Sequence, residues 1–211
     1  MELQRPLAVV TPTIDGEVLC VLAGADAAFT GRQVARLLPN HSQKGIHNVL
    51  RRLAEQGIVT MAVAGPAHLY SLNRDHLAAD YIVGLCQLKD LLRQRVAELV
   101  QRWSVPAEAV ILFGSAARGE MRSSSDIDLF VVRPDSVDEV VWLDQAAELA
   151  ERVSAWTGND ARTVEMTLQE VRDGLHEGDG LLRSIRDEGQ VLFGDPRYLH
   201  RIGRTRKEVR G

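Results

Sequence analysis

The sequence predicts an α/β (α+β) protein: short helices closed by a hairpin, a long helix, and a small domain built on a mixed sheet. Three observations predict it. Apolar residues recur at helical spacing through the first third and give way to two strand-like runs around Gly65-Pro66. Residues 74–103 then sustain a helical pattern without a proline. Finally, the runs EAVILF and LFVV, rich in apolar and β-branched residues, read as buried strands on either side of a polar loop. With 45% hydrophobic residues in 211, the chain can bury a core without disulfide or metal staples.

In the first segment, Val18, Leu19, Val21 and Leu22 mark a helix that ends near Gly24. Thr30 reads as the N-cap of a second helix, whose apolar positions are Val34, Leu37 and Leu38 and whose end is Pro39-Asn40. A third helix, roughly Gln43 to Gln56, sets Ile46, Leu50 and Leu53 on one face with Val49 beside them, and stops at Gly57. IVTMAVA and HLYSL are the strands of the hairpin. Three helices with a tight connection and a terminal hairpin resemble the winged helix-turn-helix domains of bacterial regulators, over about residues 14–73. The resemblance implies duplex DNA as a partner, with the third helix in the major groove. Its reading face would carry Ser42, Gln43, Lys44, His47, Asn48 and Arg51. A solvated helix face, or a protein-docking module, fits the same residues, because the segment's net charge is only +1.

Residues 74–103 read as one connecting helix. Leu85, Leu88, Leu92, Val96 and Leu99 form an apolar stripe that suits either packing on the next domain or a homodimer seam. Val105-Pro106 breaks the pattern. The expected organisation is therefore a domain over 1–73, a connecting helix over 74–103, a second domain over 104–196 and a basic tail over 197–211, by default a solvated terminus.

The net charge of −4 is unevenly spread. Residues 104–196 hold 8 Lys/Arg against 19 Asp/Glu, whereas 197–211 hold 6 against 1. The acidic segment is poorly suited to a phosphate backbone and well suited to divalent cations. Cys20 and Cys86 have no His or Cys at metal-ligand spacing and read as small buried hydrophobes. The six dispersed histidines argue against zinc. Nothing reads as a secretory leader or a membrane span, so a cytoplasmic protein with no membrane partner is expected.

The chemistry concentrates in GSAARGEMRSSSDIDLFVV. Gly114-Ser115 follows the strand EAVILF at once, leaving a tight turn whose backbone N–H groups and Ser115 hydroxyl suit phosphate oxygens. Asp126 and Asp128 flank Ile127 at the start of the next strand, so alternation puts both carboxylates on one face. Two such carboxylates repel unless a cation lies between them. Gly-Ser, ten residues, then Asp-x-Asp resembles the polymerase β nucleotidyltransferase superfamily, and the whole stretch resembles its minimal bacterial and archaeal members. Their Arg-Gly is matched by Arg118-Gly119, and their Ser before the first Asp by Ser125.

The resemblance extends over about residues 105–195, where Leu181 to Asp187, Glu188-Gly189 and Val191 to Phe193 match the family's closing helix, turn and strand. It implies a nucleoside triphosphate substrate, Mg²⁺ (two ions), and a third carboxylate on a later strand. The run DARTVEMT offers Asp160 and Glu165; Glu165, between Val164 and Met166, lies in its most strand-like part and could also serve as general base. Arg118 would clamp a β- or γ-phosphate or form a surface salt bridge. The implied activity is transfer of a nucleoside monophosphate, ATP being favoured as donor, to a protein or small-molecule acceptor. Minimal members often pair with a toxin partner. The rival expectation is a transcriptional regulator whose C-terminal domain senses nucleotide.

Overall fold

The computed structural model describes residues 1–202, and most of the basic tail lies outside the described residues. The chain forms two compact units, one over Arg5–Lys89 and one combining Met1–Gln4 with Asp90 onward.

In the first unit, a 3-10 turn at Pro6–Val9 precedes α1 (Ile14–Ala23), β1 (Phe29–Thr30), α2 (Gly31–Leu37), α3 (Gln43–Glu55), β2 (Val59–Ala64), β3 (Ala67–Leu72) and α4 (Ala79–Cys86). Thr30 caps α2 through a capping box with Gln33, an arrangement worth about 1 kcal/mol. Ser42 caps α3 by accepting the Gly45 N–H. β2 and β3 pair antiparallel through the Gly65-Pro66 turn, where Gly65 adopts φ +58°, and β1 adds to the far edge of β3. Val18, Leu22, Val34, Ile46, Leu50 and Tyr70 are among the buried residues of this unit's core.

The second unit contains α5 (Leu88–Val100), β4 (Ala109–Phe113), α6 (Gly114–Arg118), β5 (Ile127–Arg133), α7 (Glu139–Thr157), β6 (Ala161–Thr167), α8 (Leu168–Glu177), α9 (Gly180–Glu188), β7 (Gln190–Phe193) and α10 (Tyr198–Ile202). Its sheet has the order β6-β5-β4-β7 and is mixed: β5 and β6 run parallel, joined across α7, and the other pairings are antiparallel. Alternation splits the strands between two cores. Val110, Leu112, Ile127, Leu129 and Val131 pack with α5 and α7, while Ala109, Ile111, Phe130 and Val132 pack with α8, α9 and α10. Thr167 starts α8 through a second capping box, with Glu170.

Three expectations need correction. The helix expected over 74–103 is two helices, α4 and α5, separated at Gln87, whose N–H is shared between the Val83 and Gly84 carbonyls. The division between the units falls at Lys89/Asp90, not at 73/74 and 103/104. The apolar stripe explains why: Leu85 belongs to the first core, whereas Leu92, Val96 and Leu99 belong to the second. A continuous helical period cannot reveal that successive turns bury against different cores. Lastly, the tail is not all solvated terminus: Tyr198, Leu199 and Ile202 of α10 are buried in the second unit.

Candidate active site

The site is built where β4 ends and β5 begins. Phe113 is in register with Asp128, so the turn that leaves β4 sits directly over the carboxylate on β5. Gly114 makes that turn with φ +68°, a left-handed conformation that L side chains rarely adopt. Space imposes the same residue: a Cβ at Gly114 would stand 2.5 Å from Asp128 Oδ2 and 3.4 Å from its Cγ. Ser115 follows in the single turn of α6, which stops at Gly119 with φ +72°. α6 is tied to the sheet by Gln190 of β7, whose side-chain N–H donates to the Ala117 carbonyl at 2.5 Å.

Asp126 and Asp128 are both half-buried, flanking the fully buried Ile127. Burial, and next the neighbouring Asp126 carboxylate, push the Asp128 carboxyl above the usual carboxylate range, while Arg162 acts against the shift. The loop before them is braced from α7's end. Buried Asn159 donates from Nδ2 to the carbonyls of Ser123 (3.2 Å) and Ser125 (2.9 Å). Ser125 uses its hydroxyl to accept the Arg122 N–H at 2.9 Å, so it shapes the loop. Asn159 was not singled out in the sequence; its only sequence signal is a polar residue directly after the Thr157-Gly158 helix stop.

Glu165 does not join the aspartates, which corrects the expectation of a third carboxylate there. In the parallel register of β5 and β6, Ile127 meets Ala161, Leu129 meets Thr163 and Val131 meets Glu165. That row points toward α7, and the Glu165 carboxylate accepts the Trp142 Nε1–H, with Thr163 Oγ1 3.4 Å away. The row shared with Asp128 carries Arg162 instead. Arg162 Nη1 lies 3.1 Å from Asp126 Oδ2, and its Nη2 lies 2.9 Å from Asp160 Oδ2. Asp160, the other candidate, is thus engaged by Arg162 too. Among the described residues no cluster of three His, Cys, Asp or Glu is arranged to hold a metal ion. Asp126 and Asp128 stand where a divalent cation could lie between them, and Asp160 is joined to Asp126 through Arg162.

Arg118 projects from the end of α6 and forms ion pairs with Glu120 (2.8 Å) and Glu188 (3.4 Å) on the surface. In the first unit, Gln43, Lys44, His47, Asn48 and Arg51 are all exposed on α3, opposite its buried Ile46, Val49, Leu50 and Leu53. Arg51 pairs loosely with Glu55 at 3.8 Å. A groove of about 890 Å³ between α3, the start of α2 and the hairpin is lined by residues including Arg32, Lys44, His47, His68 and Tyr70, and by no acidic side chain. Among the described residues, no helix is long and apolar enough to cross a membrane.

Residues 92–192 match the model of the nucleotidyltransferase domain family. A curated relative from Methanocaldococcus jannaschii, named as a protein adenylyltransferase, is 40% identical over 47 residues, 22% of this chain. The chain spans about half the length of that relative (52%). Among solved structures, a toxin–antitoxin with AMP-PNP gives a TM-score of 0.38 at 20% identity, covering 53% of this chain and 80% of that one. A tri-AMPylated HEPN toxin from Shewanella oneidensis in complex with its MNT antitoxin gives 0.34 at 17% identity, covering 54% and 79%.

Proposed function

We propose that this chain transfers the nucleoside monophosphate of a nucleoside triphosphate, ATP being favoured, to a hydroxyl of a protein acceptor. The observation that carries the proposal is the packing of Gly114 directly against the Asp128 carboxylate, with Asp126 on the same face. It brings a phosphate-sized turn and a cation-holding pair into contact, as nucleotidyl transfer requires. The adenylyltransferase name of the Methanocaldococcus relative supports the choice of ATP and of a protein acceptor.

In this reading the Ser115 hydroxyl and the backbone N–H groups of the Gly114-Ser115 turn hold the β- and γ-phosphates. Asp126 and Asp128 would hold Mg²⁺, which when bound would neutralise charge on the triphosphate and lower the pKa of the attacking hydroxyl. Asn159 keeps the Ser123–Ser125 loop, and so Asp126, in register with the turn. The acceptor oxygen attacks the α-phosphorus in line and gives up its proton to water, the bond to the bridging oxygen breaks, and pyrophosphate leaves.

The first unit, with three helices and a hairpin, serves in this proposal as a winged helix that places the enzyme on duplex DNA. Its uniformly non-acidic groove beside α3 supports that role. The same groove favours one second reading, a nucleotide-sensing regulator with little or no turnover.

The test is transfer of label from α-labelled ATP, CTP, GTP and UTP into host lysate with Mg²⁺. The wild type is expected to label a discrete protein, and the Asp126→Asn/Asp128→Asn double variant to label it at least about 100-fold less. Equal labelling by both proteins refutes these roles. No labelling, with nucleotide binding retained, favours the regulator.

A further inference from the structure

The carboxylate pair already has a cation beside it, supplied by the chain. Strand register places Arg162 opposite Asp128, with Asp160 two residues before it. Its guanidinium reaches Asp126 at 3.1 Å and holds Asp160 with Nε and Nη2 at 3.0 and 2.9 Å. Asp126, Asp128, Asp160 and Arg162 together carry a formal charge of −2 before a nucleotide binds. The nearest remaining acidic residue on β6, Glu165, is on the opposite face and engaged by Trp142. A second divalent cation would have to displace the Arg162 guanidinium from Asp126 and Asp160, or sit against its positive charge.

We propose that the site takes one divalent cation per chain, with the Arg162 guanidinium standing where a second would be held and binding the nucleotide's phosphates itself. The inference rests on the nucleotide-binding reading above. Chemistry suits the exchange. A guanidinium presents five donors in a planar fork that matches phosphate oxygens, and it cannot be deprotonated in the working range. The side chain is 63% exposed, and exposed ion pairs are weak, so its contacts with Asp126 and Asp160 are readily traded for phosphate. Until then Arg162 covers Asp126 and competes with the incoming cation.

The experiment counts Mn²⁺ bound per full-length chain by electron paramagnetic resonance, with and without a saturating non-hydrolysable ATP analogue. The ternary complex of the wild type is expected to hold a single Mn²⁺, and that of Arg162→Asp to hold a second. Without nucleotide, Arg162→Gln is expected to bind Mn²⁺ about tenfold more tightly than the wild type, because a competing positive charge is gone. Two ions in the wild-type ternary complex, or unchanged affinity in Arg162→Gln, overturn the proposal while leaving the transferase reading in place. Failure of the wild type to retain either Mn²⁺ or the analogue overturns both. If Arg162→Asp does not fold, the wild-type count and Arg162→Gln still decide the matter.

Discussion

Asp128 is a carboxylate that folding makes harder to ionise, and the sign of that shift has consequences. Its folded pKa lies above the ordinary 3.8 because burial, then Asp126, disfavour the charged form. The stability it contributes is therefore complete below 3.8 and is lost as pH rises through the folded value. At about pH 7 the wild type without metal carries an uncompensated penalty, so Asp128→Asn should raise the thermal midpoint there and flatten its pH dependence in the acid range. Mg²⁺ should narrow the gap by stabilising the wild type alone. Differential scanning fluorimetry in chelator and in Mg²⁺ checks this, and a lower midpoint for the variant at neutral pH would contradict it. Gly114 shows the other face of the same constraint: positive φ and a carboxylate within 2.5 Å of any Cβ leave glycine as the residue that fits.

The pairing of β5 with β6 decides which side chains share a face. Alternation within one strand was readable, and Asp126 and Asp128 do stand on either side of Ile127 as their spacing implied. Alternation across strands was not, because a slip of one residue exchanges every side chain of β6 between the two faces. Glu165 looked functional as a carboxylate between apolar neighbours; its reason is instead the Trp142 indole, which also packs edge-on against Trp103 with ring centroids 5.5 Å apart. Glu165→Gln should therefore keep labelling activity within about threefold of wild type, with stability lowered by about 1–2 kcal/mol through a weakened acceptor for the indole N–H. Chemical denaturation alongside the transfer assay separates the two effects. Loss of labelling with unchanged stability would return Glu165 to the catalytic set.

For the whole molecule, charge divides along the two units. The groove of the first unit is lined by Arg32, Lys44, His47 and His68 without an acidic neighbour, while the acidic segment carries the candidate transferase site. If α3 meets duplex DNA, affinity should fall steeply with salt, and Lys44→Ala and Arg32→Ala should each reduce the slope of log K against log salt by about 1. Fluorescence anisotropy with the full chain over a salt series measures this. Wild-type binding that is independent of salt, or absent at low salt, would make the first unit a protein-docking module instead.

The sequence by itself determined the local features: the helix cap at Thr30, the Gly65-Pro66 hairpin, and the Gly-Ser and Asp-x-Asp groups that meet at one end of the sheet. These are legible because each depends on residues a few positions apart, whose geometry the backbone dictates. Tertiary structure alone decided that α4 and α5 serve different cores, that Glu165 faces α7, and that Arg162 stands beside Asp128. Each of those depends on which surfaces meet across the fold, and no period within a single segment encodes the register between two strands or the core against which a helix turn is buried.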